Sequence, residues 1–531
     1  MPNPRVNSLY RAASRLRYYR SVFRSPAFMP LPSAITMRKS ISSILSRTSQ
    51  ICFALAVVFA VMPTASAQTF TSLVNFDKTH GEEPIAAVQQ STDGNFYGVT
   101  VAGGTYNSDC AGTCGTAFQM TPAGTLTTLY DFCQQADCAD GFEPLAGLML
   151  ASDGNLYGTT AQGGLAVSNA GTIFRIAPNG SLSPNFYNLA APSLPSTTLV
   201  PYIDGNLYGT TLLGGADGLG STFKISTSGA FHNLSSFDEV NGESPSSLVL
   251  ARDGNFYGTT TAGGFGNGCN RTGCGTFFRL TPTGAITVLY NFCSGKCRDG
   301  SAPTSLIQAS NGYLYGVTTG GGHSLADGTL FQLSLDGGLT TLYRFCSQSN
   351  CTDGLAPQSL IEGSDGNLYG ATAGGGDLNC NPGPGAGCGT IFELAHTGAF
   401  STLHTFESAD GSYPYGLSQG TNGKFYGVTS NGGSNSACDL GCGTIYSFDA
   451  GLAPFTSFVF PAGKPGQTIG LLGQGFTGTS AVSFNGTPAN FTVVSDTFLQ
   501  ATVPAGVKSG YVSVTTPGGT LRSNVAFVVI P

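Results

Sequence analysis

Short runs of alternating apolar and polar residues fill positions 93–448, and one phrase punctuates them, [DN]-G-x-[FLY]-Y-G-x-T. Its seven copies begin at Asp93, Asp153, Asp204, Asp253, Asn311, Asp365 and Asn422, spaced 49 to 60 residues apart. That spacing is too long for a solenoid rung and near the length of a propeller blade, roughly 40 to 50 residues. Each copy reads as a turn followed by a strand. Asp-Gly or Asn-Gly between apolar runs suits a two-residue type I′ turn.

Four apolar segments recur in each repeat. In the fourth repeat they are residues 247–250, 255–260, 276–280 and 285–292. The first two are joined by the Asp-Gly turn. The last two are joined by Thr281-Pro282-Thr283-Gly284, where proline presets φ and glycine takes the positive angle. The remaining connections are long and irregular. An up-and-down antiparallel sheet sends alternate connections to opposite ends, so the short turns are expected on one face of a disc and the long loops on the other.

The fourth segment appears once before the first phrase, at residues 70–76, while the seventh repeat stops after its third segment at Phe448. Residues 70–76 are therefore expected to complete the last blade and leave no open edge. A similar run at 455–460 competes for that place and is assigned to the C-terminal domain. From 455 onward the pattern changes to strands at 467–472, 481–484, 491–494, 497–503, 510–515 and 525–530, which suits a small β-sandwich. The fold class expected is all-β: a seven-bladed β-propeller over 68–451, then an immunoglobulin-like β-sandwich over 452–531.

Before the repeats, Arg38, Lys39 and Arg47 precede an apolar run at 51–62, then Pro63 and the small-residue site Ala65-Ser66-Ala67. This is the pattern of an export signal over 1–67, cleaved after Ala67. The run is too short for a membrane span of about 20 residues, so none is expected after cleavage. Met37 heads a more ordinary signal than Met1 and is the expected start of translation.

Composition sharpens the picture in two ways. The 76 glycines recur at fixed places and mark turns, and with no tryptophan the 35 Phe and 21 Tyr supply the large apolar surfaces. Residues 1–67 hold nine Lys or Arg and no Asp or Glu, which leaves 22 − 9 = 13 basic against 29 acidic residues, or −16, beyond them. So acidic a chain repels phosphate backbones, which excludes nucleic acid as a partner.

After Cys52 the cysteines fall into close pairs: Cys110/Cys114, Cys133/Cys138, Cys269/Cys274, Cys293/Cys297, Cys346/Cys351, Cys380/Cys388 and Cys438/Cys442. Local pairs in an exported chain read as disulfides. All lie in the long loops, and they are expected to staple those loops and not to hold the fold together. Zinc is the rival reading. Its usual C-x2-C spacing is missing, and no nearby histidine completes a ligand set.

A residue present in every blade is needed to build a blade, whereas a functional one should stand in an odd place. By that test the repeated Tyr-Gly is scaffold, the ring filling space between blades and the glycine letting sheets approach. The loops before the blades carry D-G-x-x-P or a relative, and Asp140, Asp299, Asp353 and Asp410 are candidate ligand-binding residues there. Such oxygens suit calcium; the alternative is an Asx turn leading into the strand. His323 follows three glycines in a long loop and is the remaining candidate. No catalytic residue is assigned. An enzymatic alternative, a carbohydrate-active hydrolase or lyase, would draw a carboxylate pair from Asp109, Asp137, Asp140, Asp299, Asp353, Asp377 and Asp439.

The unit D-G-N-x-Y-G-x-T-x-x-G-G, followed by G-T-[IF]-F, resembles the GloVer tandem repeat of exported bacterial proteins, whose assorted C-terminal domains serve as anchors. Repeat three departs from it, lacking cysteines and the usual loop before its first strand. Gly473-Gln474-Gly475-Phe476, Val482-Ser483-Phe484-Asn485-Gly486 and Val503-Pro504-Ala505-Gly506 resemble the IPT/TIG immunoglobulin-like family. These resemblances imply a surface or secreted location and no established chemistry. The expectation is an exported, non-catalytic binding or adhesion module, meeting a cell-envelope component or an extracellular glycan or protein. A purely structural envelope role is the third possibility.

Overall fold

A computed structural model describes residues 68–105, 110, 114–164, 170–190, 193–265, 273–293, 295–324, 326–378, 380 and 387–530. The export signal over 1–67, the start at Met37, Asp109 and Cys269 lie outside the described residues.

Seven four-stranded antiparallel sheets form the blades. Blade four is built from Glu243–Leu250, Phe256–Ala262, Thr276–Leu280 and Ile286–Asn291, in order from inside to outside. Its second and third strands are almost wholly buried because each blade packs against a neighbour on both faces. Tyr257 and Phe277 of blade four share one core with Leu314 and Phe331 of blade five, so the repeated tyrosine does fill the space between blades.

The ring closes as the strand count requires. Thr69–Asn75 pairs antiparallel with Thr444–Asp449, from Thr69 opposite Asp449 to Asn75 opposite Thr444, and becomes the outer strand of blade seven. The competing run contributes Ser457–Phe458, which pairs with Leu472 and Leu471 of the C-terminal sandwich.

The turn within the repeated phrase is not type I′. Such a turn needs two left-handed residues, and in blade four only Gly254 is left-handed, at φ 81°. Gly254 N–H donates to the Ala251 carbonyl at 3.0 Å and Ala251 N–H to the Asn255 carbonyl at 2.9 Å, which makes a three-residue loop. Side chains decide this. Asp253 accepts from the Asn255 backbone N–H (3.0 Å), Asn255 Nδ2 (3.0 Å) and the Tyr257 hydroxyl (2.9 Å), and this ties residues i, i+2 and i+4 together.

The glycine of Tyr-Gly also works differently from expectation. It makes room inside its own blade, for the ring of the residue opposite on the third strand, Phe278 opposite Gly258 and Phe331 opposite Gly316.

One seam recurs between blades. Tyr413 N–H of blade seven donates to the Cys388 carbonyl of blade six at 3.1 Å, and a Cβ on neighbouring Gly389 would stand 2.7 Å from Pro414 Cδ. Glu143 bonds to Cys114 at 3.1 Å, Ala302 to Cys274 at 2.9 Å and Glu83 to Cys442 at 3.1 Å in the same way. The last of these joins blades seven and one. Every donor is left-handed and precedes a proline: Glu83 (57°), Glu143 (54°), Ala302 (51°) and Tyr413 (54°). Non-glycine residues hold that conformation at a cost of about 1–3 kcal/mol each, which the seam must offset. Four cystine loops therefore do more than staple themselves: their carbonyls bridge blades.

The sandwich sets Ser457–Phe458, Thr468–Leu472, Phe498–Thr502 and Phe491–Val493 against Thr487–Pro488, Ala481–Phe484, Val512–Thr516 and Gly519–Arg522. Leu471, Phe476, Phe484, Leu499 and Val512 fill its core. It docks on the short-turn face of the propeller. Thr497 Oγ1 donates to the Thr92 carbonyl at 2.9 Å, Phe455 N–H donates to Thr421 at 3.0 Å, and Leu472 joins the core of blades one and two. Among the described residues no helix is long and apolar enough to cross a membrane.

Candidate functional site

Among the described residues, the long loops lie on the face opposite the sandwich. Disulfides join Cys110–Cys114, Cys133–Cys138, Cys293–Cys297, Cys346–Cys351, Cys380–Cys388 and Cys438–Cys442, and Cys274 is also disulfide-bonded. In blade one, two cystines from different loops meet in one buried cluster.

The loop carboxylates are occupied from within. Asp140 is fully buried and accepts from the Tyr130 hydroxyl (2.7 Å), Gln134 N–H (2.8 Å) and Gln135 N–H (3.1 Å). Asp353 is equally buried and accepts from the Tyr343 hydroxyl (2.7 Å), Ser347 N–H (2.8 Å) and Oγ (2.8 Å), and Gln348 N–H (3.2 Å). Asp299 takes the Tyr290 hydroxyl at 2.7 Å, while Asp410 meets His404 Nε2 at 3.0 Å and Glu407 N–H at 2.8 Å. Each acid thus ties its loop back to an aromatic residue on the preceding outer strand. Burial pushes the Tyr343 phenol up to about 12, with the Ser347 hydrogen bond opposing and Asp353 adding to the rise.

Among the described residues, the groups of three metal-ligating atoms within 4.8 Å of one another are Cys110, Cys114 and Cys133, and Cys274, Cys293 and Cys297. No carboxylate belongs to either group. Of the acids considered for glycoside chemistry, Asp137 is exposed beside Cys138 and holds a left-handed backbone at 56°. Asp439 lies near Glu82, whose carboxyl is pushed up by burial and then by Glu83 and Asp439, against the pull of Lys78. His323 is exposed on its loop. That loop has no cystine; instead the Asp327 carboxylate accepts from Ser324 N–H and Oγ, both at 2.7 Å, and its carbonyl takes the seam bond from Ala356 at 2.8 Å.

Two features escape a reading of the sequence alone. Phe265 and Val240 are exposed at 73% and 52%, and their loops are joined by Gly264 N–H donating to the Glu239 carbonyl at 2.8 Å. A phenylalanine directly after Gly-Gly, where no other repeat has one, is the signal that marks Phe265. The second feature is a solvent-open cavity of ≈ 320 Å³ lined by the innermost segments of blades one to six. Its lining varies between blades at positions just after the repeated prolines.

No curated protein matches this chain. Among solved structures it is similar to a fungal alcohol oxidase of the AA5 family in complex with copper, at 12% identity over 88% of this chain and 100% of that one, with a TM-score of 0.49. It is also similar to the extracellular domain of the hybrid two-component system BT3049 from B. thetaiotaomicron (11% identity, 87% of this chain, 58% of that one, TM-score 0.46). PorZ, a surface component of the type-IX secretion system of Porphyromonas gingivalis, matches at 12% identity over 85% of this chain and 60% of that one, with a TM-score of 0.44. The Gloeobacter/Verrucomicrobia repeat matches residues 48–270 and 266–487, and the IPT/TIG domain matches 454–529. By its repeats, the chain belongs to the Gloeobacter/Verrucomicrobia repeat family, and an IPT/TIG domain is its C-terminal module.

Proposed function

We propose that this protein is an exported, non-catalytic binding module whose cystine-fastened loops meet an extracellular glycan or a component of the cell envelope. The observation that carries the reading is the position of the sandwich. It covers the short-turn face through Thr497, Phe455 and Leu472, which leaves the elaborated loops uncovered. Disulfides persist in oxidising compartments, which supports export. Loops on a rigid scaffold are where binding residues concentrate. An exposed aromatic such as Phe265 is the kind of anchor that dominates binding energy.

The test is a glycan array and a purified-envelope binding assay on the full mature chain, run beside a reducing-end release assay on the same polysaccharides. Saturable binding that Phe265→Ala weakens about 5-fold or more, without release of reducing ends, is the expected result. Turnover of any polysaccharide would replace this reading with the hydrolase or lyase one.

A further inference from the structure

The axial cavity of ≈ 320 Å³, open to solvent, is lined by the innermost segments of blades one to six, and no charged side chain lines it. Ligand pockets start at about 300 Å³, so this one has room for a single small molecule. Its walls differ in chemistry. Blades one and two present Ile85 and Leu145, while blades three to six present Thr198, Ser247, Ser305 and Gln358.

The repeat allows equivalent sequence positions to be compared, although the inner strands are two residues long in blades one and two and eight in blades four and five. Two residues after the repeated proline stand Ala86 and Ala146 in blades one and two, but Ser247 and Ser305 in blades four and five. The scaffold does not demand those hydroxyls, since alanine serves equally in the other two blades. It does use the residue before each: Ser246 Oγ donates to the Pro303 carbonyl at 2.6 Å and Thr304 Oγ1 to the Pro357 carbonyl at 3.4 Å, each in the next blade. One hydroxyl of each pair joins blades, and the serine beside it, Ser247 or Ser305, also lines the cavity.

We propose that this axial cavity binds one small uncharged polyhydroxylated molecule of the monosaccharide or polyol class. Its C–H surface rests on Ile85 and Leu145, and its hydroxyls meet Thr198, Ser247, Ser305 and Gln358, which both donate and accept. An ion here would give up part of its hydration with no opposite charge to replace it, so the site discriminates against charged relatives of the same size. This site is separate from the loop face around Phe265.

The experiment is calorimetric titration, with saturation-transfer NMR, of the full mature chain against glucose, galactose, mannose and myo-inositol, with glucuronate and glucosamine as charged counterparts. At least one neutral compound saturates, Ser247→Ala and Ser305→Ala each weaken it about 2- to 10-fold, and the charged compounds bind at least about 10-fold more weakly. Phe265→Ala leaves this binding unchanged, which keeps failure here distinct from failure of the loop-face reading. Three results would overturn the proposal: no saturation by any neutral compound at about 10 mM, equal binding of the charged ones, or binding indifferent to both serines. The first would mean that the channel holds only water. If either alanine variant misfolds, the discrimination between neutral and charged compounds by the unaltered chain still decides.

Discussion

Phe331 lays its ring over Gly316, its partner on the neighbouring strand, so closely that a Cβ on the glycine would stand 2.5 Å from Cζ. The inner strand closes the other side, with the Ser305 carbonyl also 2.5 Å from that position. Each blade repeats the arrangement, with Tyr446 taking the place of phenylalanine over Gly427 in blade seven. Overpacking a core that cannot relax costs about 1–3 kcal/mol. Gly316→Ala should therefore lower the unfolding free energy by an amount in that range. A denaturant titration giving a change within about 0.5 kcal/mol would show that the ring can move aside.

The first and third residues of the repeated phrase vary together for a chemical reason. Where the first is aspartate, as at Asp93, Asp153, Asp204, Asp253 and Asp365, the third is asparagine; where it is Asn311 or Asn422, the third is Tyr313 or Lys424. An aspartate accepts from both the asparagine Nδ2 and the tyrosine hydroxyl. Asn311 instead donates its Nδ2 to the Tyr315 hydroxyl at 2.8 Å, and Asn422 does the same to Tyr426 at 2.8 Å. Two Nδ2 groups facing each other would both be donors. Asp253→Asn alone should thus destabilise by about 1–2 kcal/mol, and Asp253→Asn combined with Asn255→Tyr should recover part of it. A double-mutant cycle measures the coupling; additive losses would refute the account.

The same comparison shows where sequence reading succeeds. The period, the face on which each loop lies and the closing strand all depend on short-range alternation, which is written locally in residues such as 70–76 and 276–280. The turn type was not legible because Asp253 settles it with side-chain bonds that compete with the backbone preference for type I′. The acids Asp140 and Asp353 were visible as a repeated position, but their partners Tyr130 and Tyr343 lie on a different strand and are matched only by folding. The axial cavity needs six inner strands brought together, and no single repeat contains it.

Tyr257 and Tyr343 set an alkaline limit on stability. Burial first, then a hydrogen bond to Asp253, pushes the Tyr257 phenol up to about 12, with Arg279 opposing, and Tyr343 is raised to about 12 as well. From the ordinary value of 10.0 up to about 12, the unfolded chain gives up these protons while the folded chain keeps them. Stability is therefore fully present below the lower value and falls as pH rises through this window. Denaturation midpoints measured across it should decline steeply, and Tyr257→Phe with Tyr343→Phe should lessen the decline by their share, since other buried tyrosines such as Tyr97 and Tyr130 are raised too. A flat profile in the unaltered protein would contradict the assignment.

The Cys380–Cys388 bridge is placed to guard a seam, because the Cys388 carbonyl receives the Tyr413 N–H of the next blade at 3.1 Å. Cys346–Cys351 closes a shorter loop, with a separation of 5 residues against 8, but the seam beside it is made by Asp327, whose carbonyl takes Ala356 N–H at 2.8 Å. Chain entropy assigns either bridge about 2–3 kcal/mol, so replacing either cysteine pair by serine should lower stability comparably. Hydrogen exchange separates their roles. Loss of Cys380–Cys388 should speed exchange of the Tyr413 amide, which depends on a carbonyl the bridge fixes, while loss of Cys346–Cys351 should leave the Ala356 amide protected. Equal protection of Tyr413 with and without its bridge would reduce that cystine to a loop staple, and the junction between blades six and seven would then rest on Gly389 packing against Pro414.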